Sequence, residues 1–340
     1  MRSPFENQSP TDAFASSWVT RETAAAAVAA AESMLRLGEV EVLDPAPHAW
    51  GSRRLWRVQS NTRRLVAKFW SGRQVRRLRA EAMLAASAAS EASPIVAPAA
   101  AIGWGEGPPK TLLHSRSHYL ENDPDVWRAC THAASFYRLL GGAHASGADA
   151  HALGRALAQL HQVFRHTTLP VGPRWPALCQ ASLPNPQPGA PIIVAQQRIR
   201  QRAKELAAMP TTVVHGDARY DNAIRVDRGV IVLIDLEFCR RDSSLFDLAS
   251  LVAPTRTTDG NFQMATAAEL AQATQGYESI AGDLSRACWA LLPTVVLAHY
   301  AIVAMDLRTR PTENLHVLQL VSDLLEQIDD LIADVRRLVV

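Results

Sequence analysis

One stretch of this chain holds side chains whose types and spacing suit phosphoryl transfer. Val213-Val214-His215-Gly216-Asp217-Ala218-Arg219-Tyr220-Asp221-Asn222 runs from an apolar strand into a polar loop, and Ile234-Asp235-Leu236-Glu237 follows. An Asp and an Asn five apart on a loop leaving a strand can point at one spot, and the next hairpin returns an Asp to the same end. In such a set one carboxylate accepts a hydroxyl proton and keeps the oxygen in line, while an amide oxygen and a second carboxylate hold magnesium on nucleotide phosphates. Asp217 is then the base, and Asn222 and Asp235 are the metal ligands. Singly, Asp217 and Asn222 would each pass for turn residues, and Asp235 for a strand-end cap. The ordered combination carries the chemistry, and its interval is that of an H-x-D-x-x-x-x-N loop.

Upstream, Leu65-Val66-Ala67-Lys68-Phe69-Trp70 sets a lysine inside an apolar strand of a chain that uses Arg far more than Lys, 32 against 3. A compact ammonium there suits the α- and β-phosphates of a nucleotide, with Glu81 on the next helix as its ion-pair partner. The plain alternative is a snorkelling Lys and a solvated Glu. Glu237, two residues after Asp235, is placed to reach a second magnesium or a water on it. Arg219 either stabilises charge on the transferring phosphoryl group or faces solvent. Asp221 is assigned a turn or supporting role.

These residues need elements to hold them. Thr20 caps an Ala-rich helix over about 21–36, ended by Gly38. Strands are expected at Glu39–Leu43, Leu55–Gln59 and Leu65–Trp70, a helix at Gln74–Ser90, and strands at Ala99–Trp104 and Thr111–Leu120. From about 122 the pattern turns helical, with an amphipathic segment at Ala152–Phe164, a Pro-rich loop over 165–191 and a helix at 193–208. The hairpin Ala223–Val226 and Val230–Ile234 follows, and the remainder is helical. The division drawn is a tail and helix over 1–38, a strand-rich nucleotide-binding lobe over 39–121, and a helical lobe over 122–340 with catalytic loop, metal site and acceptor pocket.

Composition excludes several classes. A formal charge of +2 with scattered Arg argues against nucleic acid or an anionic membrane as the main partner. Cys130, Cys179, Cys239 and Cys288 have no metal-ligand spacing and suit a reduced cytoplasmic protein. No apolar run is long enough to span a membrane, and the N-terminal region has the wrong charge for a signal peptide. Leu318, Val321, Leu325, Ile328, Ile332 and Val335 alternate by three and four, as in the seam of a homodimer. Leu324 and Leu331 widen the stripe toward a face that packs on the large lobe.

The chain resembles the aminoglycoside phosphotransferase and choline-kinase-like superfamily, relatives of the protein kinases. The resemblance rests on His215-Gly216-Asp217 through Asn222, Ile234-Asp235-Leu236-Glu237, Asp242 with Phe246-Asp247-Leu248-Ala249, and Leu153-Gly154 to Leu160-His161. It implies an α+β, two-lobed protein-kinase-like fold, with a β-rich N-lobe and a larger helical C-lobe. It also implies ATP and Mg2+, and an adenine site on a backbone hinge near His118 to Glu121, with His118 and Leu120 as contacts. Asp247 would accept backbone N–H bonds from the catalytic loop, and His161 would be a packed helix-end histidine. The phosphate-covering loop Pro47–Arg54 offers one glycine, Gly51, beside Ser52, so its backbone wraps phosphates less freely. The expected activity is ATP-dependent transfer to a hydroxyl of a small molecule, an antibiotic or a metabolite. A Ser/Thr of a precursor peptide as acceptor, and a nucleotide-binding scaffold without catalysis, are the alternatives.

Overall fold

The computed structural model describes residues 20–35, 40–45, 55–60, 64–72, 74–87, 93–105, 108–114, 119–169, 191–252, 255–256, 262–306 and 311–339. Its fold is α+β, with strands concentrated in the N-terminal part and helices in the C-terminal part. The chain divides into two compact units: residues 1–141 with Ile234–Cys239, and residues 142–233 with 240–340.

The first unit is built on a seven-stranded antiparallel sheet ordered β1-β2-β3-β7-β4-β5-β6. The strands are β1 (Val40–Pro45), β2 (Leu55–Ser60), β3 (Arg64–Ser71), β4 (Ala100–Gly105), β5 (Lys110–His114), β6 (Tyr119–Leu120) and β7 (Cys130–Arg138). Side chains alternate across a strand, so β3 divides its residues between two cores. Leu65, Ala67 and Phe69 join Trp56, Val58, Ile102 and Phe136 beneath Ala24, Ala27, Val28 and Ala31 of α1 (Arg21–Leu35). Trp70 lies on the opposite face with Leu112, Leu113 and Ala133, among Val75, Leu78 and Ala82 of α2 (Gln74–Ser87). By the same alternation Lys68 belongs to the α2 face.

Two expectations about this unit change. β7 was expected within a helical region, yet it lies between β3 and β4. Its Ala133-Ala134-Ser135 centre lacks β-branched residues, so pairing on both edges decides its state rather than propensity. The boundary drawn at 121 consequently moves to Gly141/Gly142. Leu120 sits on β6, the outermost strand, and is followed by α3 (Pro124–Ala129) and then β7 of the same unit. His118, Gly51 and Ser52 lie outside the described residues.

The second unit is mostly helical. α4 (Ala150–Val163) packs on α8 (Ala267–Ala281). Two glycines permit the close approach: a Cβ on Gly154 would meet the Ala273 carbonyl oxygen at 1.8 Å, and one on Gly276 the His151 carbonyl oxygen at 2.0 Å. α5 (Pro191–Gln201) and the short α6 (Ala203–Ala207) lead into β9 (Thr211–Val214). β9 pairs with β12 (Arg240–Ser243), while β10 (Ala223–Arg225) pairs with β11 (Ile231–Leu233) and with β8 (Ala143–His144). α7 (Leu245–Ser250) packs against α9 (Arg286–Asp306). α10 (Pro311–Val339) buries Val321, Leu324, Ile328, Ile332 and Val335 and packs on α5, α8 and α9, as the wider stripe implies. Leu318 is a side chain outside the described set. No described helix is long and apolar enough to cross a membrane.

Candidate active site

In the second unit, β9 delivers buried Val213 and Val214 into a loop whose backbone is tied to α7. The His215 and Gly216 amides donate to Asp247 Oδ2 and Oδ1, each at 2.8 Å. Gly216 turns at φ +84°, a conformation that glycine takes at little cost. Two residues on, the Ala218 amide donates to Ser250 Oγ at 3.0 Å, and Ser250 Oγ donates to the Asp247 carbonyl at 2.7 Å. His161 Nε2 lies 2.9 Å from Asp247 Oδ2, and its Nδ1 lies 2.9 Å from the Tyr277 hydroxyl. A ring nitrogen facing a carboxylate carries the proton, so Nδ1 accepts from the phenol. Asp247 is completely buried. Burial pushes its carboxyl upward, but His161, His215 and the Gly216 amide outweigh that and hold it below the ordinary value. Asp247 and His161 thus have the supporting roles that the resemblance implied.

The loop then presents its polar side chains together. Asn222 Nδ2 donates to Asp217 Oδ2 and to the Asp217 carbonyl, both at 2.9 Å. This leaves the amide oxygen as the atom a hard cation would take. Arg219 Nε stands 3.1 Å from Asp217 Oδ1, and its Nη2 stands 3.2 Å from Asp221 Oδ2. With 15% of its side chain exposed, Arg219 does not face open solvent. Asp221, which had only a turn or supporting role, is its second carboxylate partner.

Two residues here escaped sequence reasoning. His299 and Tyr300 lie in the apolar helix α9, both buried, and neither His299 Nδ1 nor the Tyr300 hydroxyl has a hydrogen-bond partner among the described residues. Burial, with Arg240 and Arg219 nearby, pushes His299 down to about 3. Burial also drives the Tyr300 phenol well above its usual range, with Arg219 opposing and Asp217 reinforcing the shift. The available signal was a pair of polar rings inside an otherwise apolar helical run.

In the first unit, Lys68 is 5% exposed. Its Nζ stands 2.5 Å from Asp235 Oδ1, 3.2 Å from Glu237 Oε2 and 3.8 Å from Glu81 Oε1. It also lies 4.1 Å from the centroid of the Trp70 ring. The expected Lys68–Glu81 pair is therefore present but is the longest of three. Glu237, expected at a second magnesium, is bound to Lys68, with Arg77 Nη1 at 3.8 Å from its other oxygen. Asp235 adopts a left-handed backbone, φ 61° and ψ 59°, which Asp and Asn accept more readily than bulkier residues. Burial pushes the Glu81 carboxyl up to about 7, opposed by Lys68 and by the Tyr137 hydroxyl that donates to it.

This donor set fits magnesium. Lys68 and Arg77 face the carboxylates of Asp235, Glu237 and Glu81, and Asp235 is the most exposed of the three, 27% against 8% and 1%, so it is the one open to a divalent cation. Within this unit Asp235 supplies hard oxygen atoms to such an ion. Among the described residues no group of three or more His, Cys, Asp or Glu is arranged to hold a metal alone.

Comparison with known proteins bears on the chemistry. The profile of the APH phosphotransferase enzyme family matches residues 42–282. A homoserine kinase from Azorhizobium caulinodans is 34% identical over 106 residues, covering 28% of this chain and 33% of that protein. The match thus spans about a third of that relative's length. Among solved structures, the choline kinase LicA from Streptococcus pneumoniae is similar, with a TM-score of 0.60 and 13% identity over 87% of this chain and 97% of that one. The microcompartment-associated aminopropanol kinase gives a TM-score of 0.59 and 16% identity, over 92% and 99% of the two chains. At these identities the structural likeness concerns the fold, which is that of the kinases. The family match covers most of the chain and includes the Asp217–Asn222 loop, Lys68 and Asp235, and this protein belongs to the APH phosphotransferase enzyme family, enzymes that phosphorylate a hydroxyl of a small molecule.

Proposed function

We propose that this enzyme transfers the γ-phosphate of MgATP to a hydroxyl of a small amino alcohol, with Asp217 as the base. The observation that carries this reading is the Asp217 carboxylate held between the Asn222 amide and the Arg219 guanidinium. Each carboxylate oxygen has further lone-pair capacity, so one remains able to accept the proton of an incoming hydroxyl. The hydroxyl oxygen of the acceptor bonds to the γ-phosphorus, the bond to the bridging oxygen breaks, ADP leaves, and the proton resides on Asp217. Lys68 holds the α- and β-phosphates, and Asn222 and Asp235 are the residues that would hold magnesium. When bound, the ion would neutralise charge on the phosphate oxygens. Arg219, a cation two residues past the base, stabilises charge on the phosphoryl group as it transfers.

The acceptor class is supported by two facts. The homoserine, choline and aminopropanol kinases to which the chain is similar are named for alcohols that carry a cationic nitrogen. The loop itself sets two carboxylates, Asp217 and Asp221, against the one guanidinium of Arg219, a local excess of negative charge that suits an ammonium group. Retention of Asp217, Asn222, Asp235 and Lys68 opposes a scaffold without catalysis.

The test is a transfer assay with purified protein and MgATP against amino alcohols, hydroxylated antibiotics, neutral alcohols and Ser/Thr peptides. Amino alcohols are expected to be phosphorylated best. Asp217→Asn is expected to retain nucleotide binding and lose roughly 10²–10⁴-fold in turnover. Near-parental turnover by that variant would remove Asp217 as the base.

A further inference from the structure

Beside the lysine cluster, β7 carries a hydrogen-bonded chain that the transfer chemistry leaves unused. Trp70 Nε1 donates to Ser135 Oγ at 2.7 Å. Ser135 Oγ lies 3.0 Å from the Tyr137 hydroxyl, and Tyr137 donates to Glu81 Oε2. The ends of the chain fix its direction, because an indole N–H only donates and an ionised carboxylate only accepts. Ser135 accepts from Trp70 and gives its own proton to Tyr137, the alternative acceptor being the Lys68 carbonyl at 3.5 Å. The single proton of the phenol is then committed to Glu81.

Strand register builds this arrangement. Ser135 pairs with Lys68 and Tyr137 with Val66 across the β3–β7 ladder. Ser135 and Tyr137, two apart, share a face of the sheet. Trp70 and Ser135 have no exposed surface and Glu81 is 1% exposed, while Tyr137 is half-buried. At 3.8 Å the Lys68 ammonium is past ordinary hydrogen-bonding distance from Glu81. Among the described residues, the side-chain hydrogen bond to Glu81 comes from Tyr137.

We propose that Tyr137 is a positioning residue for nucleotide binding, whose hydroxyl fixes the Glu81 carboxylate in the orientation and ionised form that holds Lys68 for the phosphates. The proposal rests on the MgATP reading above. Glu81 is faced by Lys68 from β3, by Tyr137 from β7 and by the carboxylates of Asp235 and Glu237. Burial and those two carboxylates favour its protonated form, while Lys68 and Tyr137 favour the charged one. Loss of the Tyr137 donor therefore raises the pH below which Glu81 becomes neutral and leaves Lys68 to be drawn toward Asp235 and Glu237 alone, away from the position that suits the phosphates.

The test is calorimetric titration with MgATP between about pH 6 and about pH 9, on the parent, Tyr137→Phe, Glu81→Gln and the double variant. The phenylalanine keeps the ring, and thermal melts check that each variant folds. Tyr137→Phe is expected to bind about tenfold more weakly near neutral pH and to recover at the alkaline end. Its acid limb should lie about one pH unit above the parent's, the shift that one hydrogen bond to a charge supports. In the Glu81→Gln background, Tyr137→Phe should cost nothing further. Equal weakening at every pH, or a full additional cost in the Glu81→Gln background, would show that the hydroxyl serves packing alone and would overturn the proposal. A parent that bound no MgATP at any pH would overturn the nucleotide reading, and this proposal with it.

Discussion

At the scale of single residues, the catalytic loop contains a small charge circuit. Arg219 is shared between Asp217, the base we propose, and Asp221. Of the two options drawn from sequence, the solvent-facing cation does not match a side chain that is 15% exposed, and a part in the transition state is what we propose for it. Arg219→Ala is expected to lower kcat by roughly 10–10³-fold, the range of a lost electrostatic stabiliser, with acceptor KM almost unchanged. Asp221→Asn should move kcat the same way by less, since Arg219 would then crowd Asp217 alone. Steady-state kinetics with varied acceptor at saturating MgATP distinguishes this from acceptor recognition, which would appear in KM. The presence of Arg219 and Asp221 was plain from sequence. Their pairing was not, because a loop of this length admits several backbone paths and only the ties to Asp247 and Ser250 select one.

At the scale of elements, α7 holds the loop through one buried carboxylate. Asp247 receives two loop amides and His161. Asp247→Asn removes a buried charge whose donors then lack their partner, a change that typically costs about 3–5 kcal/mol. Urea unfolding is the measurement; a loss within experimental error would show that α7 does not anchor the loop. The folded-state value of Asp247 is depressed, so its contribution is present above the unfolded carboxylate range of about 4. It is lost as pH falls through the lower folded value. The parent should therefore lose stability more steeply on acidification than the Asn variant. The position of Asp247 was legible because its neighbours form a recognisable run after the hairpin. β3 and α2 were legible through alternation and helical period. β7 was not, because Ala and Ser at its centre say little about strand state, and its neighbours β3 and β4 supply the instruction through space. The Tyr137–Glu81 bond joins residues too far apart in sequence for local pattern to link them.

At the scale of the whole molecule, the units are not simple halves of the chain. Ile234–Cys239 belongs to the first unit although the sequence on both sides of it belongs to the second. That six-residue insertion brings Asp235 at 2.5 Å and Glu237 at 3.2 Å to Lys68. It also contributes Leu236, which is 1% exposed. A fragment of residues 1–141 is therefore expected to be incomplete. Circular dichroism should show strand content without the sharp thermal transition of the intact protein. A cooperative melt of the fragment would show that its core suffices without the inserted segment.

The discontinuity also sets a timetable for synthesis. A nascent chain emerges from its N-terminus at roughly 5–20 residues per second. After residue 141 has been made, almost a hundred more must follow before Cys239 completes the first unit, a delay of roughly 5–20 s at those rates. Throughout that interval the ribosome carries an extended β-sheet core that still lacks its last piece, while the catalytic loop is being translated. Chaperone engagement or a translational pause would matter most in this window, and synonymous codon changes between positions 142 and 239 would alter its length without altering a single residue.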